Sequence, residues 1–155
     1  RMFVTDGGVE THLIFNEGQN VPDMSVYLLN MDEAGRAVMR DYYRAYIPIC
    51  REAAQGFLFD TNTWRANPDW GTRAGYDATM LRDANITAVQ FCREMQDEFA
   101  AEGVHSIISG VLGPRRDAWQ YDGIMTVDEA VAYHSPQIEA FAAAMPTASG
   151  VLVRV

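Results

Sequence analysis

The chain contains no lysine; all 12 of its basic residues are arginine. That absence excludes Schiff-base, phosphate-loop and general-base lysine chemistry from these residues. Basic residues are also few, 12 against 21 acids for a formal charge of −9, and none cluster beyond Arg115-Arg116. A phosphate-backbone partner needs a basic face, so nucleic acid is not an expected partner. Cysteine is scarce: Cys50 and Cys92 lie far apart and neither belongs to a C-x-x-C pair. A disulfide framework or a two-cysteine zinc knuckle is therefore not encoded here. Cys50 follows Ile47-Pro48-Ile49 and Cys92 lies on an apolar helical stripe, so both are expected as buried small hydrophobes in a reducing compartment. Long apolar runs are missing too. The longest, such as Val104 to Leu112, is too short to cross a bilayer, and no membrane partner is expected. The few residues before Asp6-Gly7-Gly8 are too short for a signal peptide, which gives a cytoplasmic expectation.

What is present is the profile of a globular domain, 48% hydrophobic and 21% charged. Met2 to Thr5 reads as a strand closed by the turn Asp6-Gly7-Gly8. A helix is expected from a cap at Asn30, with Glu33 completing the box. Its apolar face would be Val38, Tyr42, Tyr46, Ile49 and Ala53, kinked or restarted by Pro48 and terminated by Gly56. Phe57 to Phe59 is a second strand, running into Asp60-Thr61-Asn62-Thr63 and a long polar loop. A second helix is expected from about Asn85 to Glu102, with Ala88, Cys92, Met95 and Phe99 as its stripe and Gly103 as its stop. His105 to Val111 is a third strand. Thr126-Val127-Asp128-Glu129 is a capping box opening a third helix, with Val127, Val131, His134, Ile138 and Phe141 as its apolar face and a bend at Pro136. Val151 to Val155 reads as a fourth strand.

Alternation of strand and helix argues for a parallel sheet wrapped by helices. Right-handed crossovers leave a barrel or a doubly wound open sheet. Polar residues stand at the C-terminal ends of all three leading strands: Asp6, then Thr61 and Asn62, then Ser109 and Gly110. A barrel uses every such end for its active-site face, an open sheet only those at its switch point. The fold expected is therefore α/β, a (β/α)8 TIM-type barrel. Three or four units cannot close one, and an open half would leave a bare edge. Residues 1–155 are thus expected to be the N-terminal half of a larger barrel domain.

Four motifs stand in order: Asp6-Gly7-Gly8 with Glu10-Thr11; Asp60-Thr61-Asn62-Thr63-Trp64; Gly110-Val111-Leu112-Gly113-Pro114; and His134-Ser135-Pro136-Gln137. Each alone is weak. Together, from about Met2 to Ala144, they resemble the homocysteine S-methyltransferase family. The resemblance implies methyl transfer to the thiol of L-homocysteine, giving methionine, within methionine biosynthesis. Its small-molecule partners would be homocysteine and a methyl donor, with assembly into a homo-oligomer left open. S-methylmethionine, S-adenosylmethionine, betaine and methyl-folate all occur as donors in the wider family, and these residues do not choose among them.

Homocysteine is a zwitterion with a thiol, so its pocket needs an acid for the ammonium and neutral donors for the carboxylate. The resemblance places Asp6, Gly7 and Thr61 in that pocket. Asp6 would hold the ammonium, or else cap the following turn; Gly7 and Gly8 would let the backbone come close, or else only turn it. Thr61 offers a hydroxyl, as ligand donor or as a satisfied strand end. Asn62 and Thr63 would touch the ligand or orient the loop. Trp64, Trp70 and Trp119 are candidates for a wall toward the donor, or for ordinary loop packing. Gly113-Pro114 is expected to shape the third loop, and His134 to be packed and hydrogen-bonded on its helix and not a ligand.

A thiol with a pKa near about 8.5 is mostly protonated at neutral pH, and the thiolate is the nucleophile. The family binds that thiol to Zn2+ through three cysteines, which this chain lacks; Cys50 and Cys92 do not match their positions, and no metal ligand or catalytic residue is nominated here. The alternative reading is a catalytically silent relative that binds an amino acid or acts as a regulatory subunit. One departure stands out: Glu10 occupies a position where the family has glycine, either adding to amine recognition or facing solvent.

Overall fold

The computed structural model describes residues 2–117 and 123–145, and residues 152–154 by their backbone alone. Four short parallel strands lie side by side in chain order: β1 (Phe3–Val4), β2 (Gly56–Asp60), β3 (Ser106–Val111) and β4 (Leu152–Arg154). Parallel neighbours require crossovers. The first carries α1 (Val9–Thr11), continued by a π turn over His12–Asn16, two 3-10 segments at Pro22–Met24 and Val26–Met31, then α2 (Glu33–Arg44) and α3 (Tyr46–Glu52). The second carries α4 (Pro68–Arg73) and α5 (Ala78–Ala101), and the third α6 (Val127–Ala144). The sheet order contains no reversal, unlike a doubly wound sheet at its switch point. The four strands are a partial α/β arrangement and do not themselves close a barrel.

Strand alternation sorts the two faces of the sheet. Phe57 and Phe59 are fully buried and meet the helices, with Phe57–Phe99 centroids at 5.2 Å, Phe59–Phe99 at 4.8 Å and Phe59–Tyr43 at 5.3 Å. Such tilted and edge-on pairs add about 0.5–1.5 kcal/mol each beyond area burial. Met39, Phe91, Cys92 and Met95 complete this core. Leu58 and Asp60 alternate with the two phenylalanines and lie on the opposite, half-buried face, where Asp60 stands beside Ser109 of β3. Both cysteines are buried core residues, as expected.

Several boundaries depart from expectation, each for a local reason. The first helix is capped by Asp32, whose side chain accepts from Gly35 N at 2.7 Å. Asn30 instead lies inside a 3-10 segment, buried, while Glu33 pairs with Arg40 and Arg36. The apolar stripe holds through Tyr42 and Tyr46, but Ile49 is 50% exposed. The helix breaks at Ala45 and restarts before Pro48, which changes the phase and buries Cys50. Gly56 does not terminate this helix. Ala54 takes the left-handed turn at φ 51°, and Gly56 opens β2 where a Cβ would lie 2.6 Å from the Phe3 ring.

The long polar loop contains α4, capped by Asn67. The second helix starts seven residues earlier than expected, because Asp77 caps it by accepting from Met80 N at 2.8 Å. Asn85 is inside the helix, and Gly103 (φ +79°) stops the helix as read. The Thr126 capping box is present as read. Of the apolar face read for α6, Phe141 is buried as read, but Val127 is 79% exposed, Val131 58% and Ile138 40%, while Gln137 and Ala140 are buried beside Phe141. A polar network captured Gln137, as described next, and rotated the helix accordingly.

Candidate functional site

At the end of β1 the chain turns through Asp6-Gly7-Gly8. Gly8 has φ +114°, a conformation that strains any side chain. Two tyrosines one turn apart hold this corner. Tyr42 donates its hydroxyl to Asp6 Oδ2 at 3.3 Å, and Tyr46 accepts the Gly7 N–H at 2.9 Å; the two hydroxyls are 3.2 Å apart. Burial, the Tyr46 hydroxyl and Asp6 together raise the pKa of Tyr42, which stays a neutral donor. Glu10 lies near the same corner. Burial pushes its carboxyl above the usual range, and Asp6 and Asp60 push the same way against a backbone hydrogen bond. Asp6 and Asp60 thus lie within electrostatic range of Glu10 near the ends of β1 and β2, so the local field is negative.

The loop after β2 is held from below by a closed ring of hydrogen bonds. Val111 N donates to Thr61 Oγ1 at 2.9 Å, Thr61 and Thr63 hydroxyls lie 2.8 Å apart, and Thr63 donates to Val111 O at 2.8 Å. With Thr63's proton on Val111 O, Thr61's proton goes to Thr63, so both hydroxyl protons are committed inside the protein. Thr61 is 1% exposed. Asn62 is buried as well: its Oδ1 accepts from Tyr43 at 3.2 Å and its Nδ2 points to the Met39 sulfur at 3.7 Å. Asp6, Gly7 and Gly8 therefore line the surface of the corner, whereas Thr61 and Asn62 brace the loop beside it.

Gln137 fastens this loop from α6. Its Nε2 donates to Thr63 O and Asn85 Oδ1, each at 2.9 Å, and Asn85 Nδ2 donates to Ala66 O at 3.0 Å and Leu81 O at 2.8 Å. Asn67 joins the loops after β2 and β3 by donating to Trp64 O and Pro114 O and accepting from Tyr133 at 2.8 Å. Gly113 makes this contact possible, since a Cβ there would collide with the Trp64 carbonyl oxygen. The motif Gly113-Pro114 shapes the third loop by close approach. His134 is half-buried and packs edge-on against Tyr133 at 5.0 Å. Its Nδ1 has no partner among the described residues, so the expected hydrogen bond is absent on that side, and burial lowers its pKa.

Trp64 and Trp70 stand on either side of Arg65, whose guanidinium carbon is 4.1 Å and 3.5 Å from their ring centroids. Trp119 lies outside the described residues. The sequence reading missed Arg65, Asn67, Asn85, Gln137 and the tyrosine hydroxyls. Tyr42 and Tyr46 were visible only as an apolar stripe, and Asn85 only as a helix start. Gln137 stood in a quoted motif, where the neighbouring histidine drew attention.

The described residues also form cavities away from this corner. One of about 420 Å³ is lined by His12, Glu17, Asp41, Tyr42 and Tyr46, and Asp6 is not among its lining residues. Another, about 630 Å³, lies between the ends of α2, α3 and α5 and is lined by Arg44, Arg51 and Glu98. Neither contains a residue nominated from sequence. No three His, Cys, Asp or Glu among the described residues are grouped to hold a metal. Burial raises both thiol pKa values, and Cys50 donates to Gly56 O at 3.9 Å. The described residues thus do not fit a zinc site. No helix among them is long and apolar enough to cross a membrane.

The chain resembles two solved structures of the homocysteine methyltransferase MmuM from Escherichia coli. The metallated form superposes with a TM-score of 0.71 at 22% identity, over 99% of this chain and 54% of that one. The oxidized form gives 0.68 at 20% identity, over 92% and 50%. The chain therefore spans about half the length of these structures, and at such identities the likeness shows the fold alone. No curated protein matches. The sequence model of homocysteine S-methyltransferases matches residues 3–151, nearly end to end, and the chain belongs to that family.

Proposed function

We propose that the whole protein transfers a methyl group to the sulfur of L-homocysteine, giving methionine, within a (β/α)8 barrel of which this chain contributes the first strands. The observation that carries this reading is the corner at Asp6-Gly7-Gly8. Tyr42 and Tyr46 fix it, and Glu10 and Asp60 add negative charge beside it. An ammonium seated at Asp6 gains a charge-assisted bond in an acidic surrounding. Gly7 and Gly8 let the ligand approach the backbone, and Thr61 and Asn62 form the braced wall. In the reaction the thiol loses its proton, its sulfur bonds to the methyl carbon, and the donor's own bond to that carbon breaks.

Zinc, when bound by cysteines expected elsewhere in the whole protein, favours the thiolate. The described residues do not supply its ligands. What this chain's residues do is bind and orient the amino acid.

Asp6→Asn in the whole protein should weaken homocysteine binding by about 1.5–3 kcal/mol, the worth of a hydrogen bond to a charged group. Titration calorimetry reads this directly, and an unchanged affinity removes Asp6 from its assigned role. Homocysteine that binds without any methyl transfer from the candidate donors points instead to the silent relative.

A further inference from the structure

Arg65 is a charged side chain that the reading above leaves without work. It lies in the loop between β2 and α4 and is only 6% exposed. Its Nε and Nη1 are buried and have no hydrogen-bond partner among the described residues, and the same is true of the Trp70 indole N–H stacked on it. Burial lowers its pKa; Asp117 and Asp23 oppose this by charge but make no hydrogen bond to those two nitrogens. Asp23 is bonded to Arg73 at 3.0 Å.

A buried ionic donor without an acceptor is among the most costly arrangements in a fold. Stacking on two indoles offsets part of that cost. It also covers both faces of the guanidinium and leaves only the in-plane N–H groups to recruit an acceptor. The loop follows the C-terminal end of a parallel strand, where ligand sites of such sheets lie. Gly113, Asn67 and Gln137 hold this loop rigidly, so the side chain has little freedom to swing out to water.

We propose that Arg65, walled by Trp64 and Trp70, is the subsite for the carboxylate of a small ligand bound at the strand ends. A planar guanidinium matches the two oxygens of a carboxylate, and the Trp70 N–H lies close by as a further donor. Shielding from water strengthens the bond once it forms. The ligand's name rests on the functional reading above. The carboxylate belongs either to the amino acid whose ammonium meets Asp6 or to a carboxylate-bearing methyl donor.

The test uses the whole protein as wild type, as Arg65→Met, which keeps length and stacking but loses charge, and as Arg65→Lys. Melting temperature is followed against sodium acetate, with sodium chloride at matched ionic strength as control. Ligand that binds only the native state raises the melting temperature. Acetate should stabilise the wild type and fail to stabilise Arg65→Met, with Arg65→Lys responding less than wild type. Equal responses in wild type and variant, or none in the wild type, overturn the subsite. Should Arg65→Met fail to fold, the lysine variant decides by the same criterion.

Calorimetry then identifies the source. If the acceptor owns the carboxylate, wild type should prefer homocysteine over its carboxamide by about ten- to a hundredfold, a preference that collapses in Arg65→Met. If the donor owns it, homocysteine affinity holds and the KM of a carboxylate-bearing donor rises by a similar factor. Acetate binding at Arg65 without homocysteine binding keeps the subsite and removes the functional reading.

Discussion

Along the outer face of α2 and α3, Arg36 and Arg40 meet Glu94, Arg44 meets Glu98, and Arg51 meets Glu102. In the loop after β2, Arg65 meets two tryptophan faces and, among the described residues, no acceptor for Nε or Nη1. The first set is a ladder at the surface, with Arg36, Arg40 and Arg44 four apart on α2 and Arg51 on α3 facing Glu94, Glu98 and Glu102 four apart along α5 and its C-terminal cap, each arginine with an acid partner. The second is a donor held where its partner is missing. Satisfied surface pairs stabilise little; an unsatisfied buried one costs much and persists only where the surrounding structure holds it. The difference separates a surface that sets how two helices lie together from a loop that leaves a buried donor over among the described residues.

That contrast can be broken from either side. The largest effect is expected from Gly113→Ala. The added Cβ must displace the Trp64 carbonyl, so the loops after β2 and β3 part, at a cost of about 3 kcal/mol by overpacking. Denaturant unfolding should show it, and a loss under about 1 kcal/mol means the loops separate without cost.

Gln137→Ala comes next. It strips the donor from Thr63 O and Asn85 Oδ1, both buried, for about 2 kcal/mol. Combined with Asn85→Ala, the two losses should fall well short of additive, because they share one bond. Full additivity in the double-mutant cycle would dissolve the network.

On the ladder, Arg40→Ala should cost less than about 1 kcal/mol, and part of that loss should remain at high salt. The remainder reflects the arginine stem over Phe91, whose ring lies 5.9 Å from the guanidinium carbon. A loss as large as that of Gln137→Ala would erase the distinction between the two regions.

Glu10→Gln should have the smallest effect, and a pH-dependent one. The folded-state pKa of Glu10 is raised, so ionisation favours the unfolded chain as pH climbs above the unfolded carboxylate value of about 4.3. The variant should therefore gain stability at neutral pH and match the wild type once both states are protonated below that value. Thermal melts across pH 3 to 7 read this (about the carboxylate range), and a gain that persists at the acid end speaks against ionisation as its cause.

The strands and their order of appearance were legible because short apolar runs ending in Asp6, Thr61 and Ser109 mark strand ends in a parallel sheet. The stripe of α5 was legible because Ala88, Cys92, Met95 and Phe99 repeat at helical spacing and all bury. The face of α6 was not. Hydrophobic periodicity counts Val127, Val131 and Ile138 as core, yet the helix buries Gln137, whose hydrogen bonds to the Thr63 loop outweigh a stripe of exposed valines. Asp32 took the cap expected at Asn30, and Asp77 opened the second helix well before Asn85, because each short acid accepts a backbone N–H three residues further on.

By itself the sequence determined the strand–helix alternation, the corner at Asp6-Gly7-Gly8 and the family, because each depends on residues close together along the chain. The tertiary structure decided which hydroxyls were already spent and which donors were left over. Thr61 closes a ring with Thr63 and Val111, Tyr42 and Tyr46 turn from apolar stripe into clamp, and Arg65 is sealed between two indoles. Hydrogen-bond satisfaction is a property of partners up to 74 residues apart, as Gln137 and Thr63 are, and no local pattern encodes it.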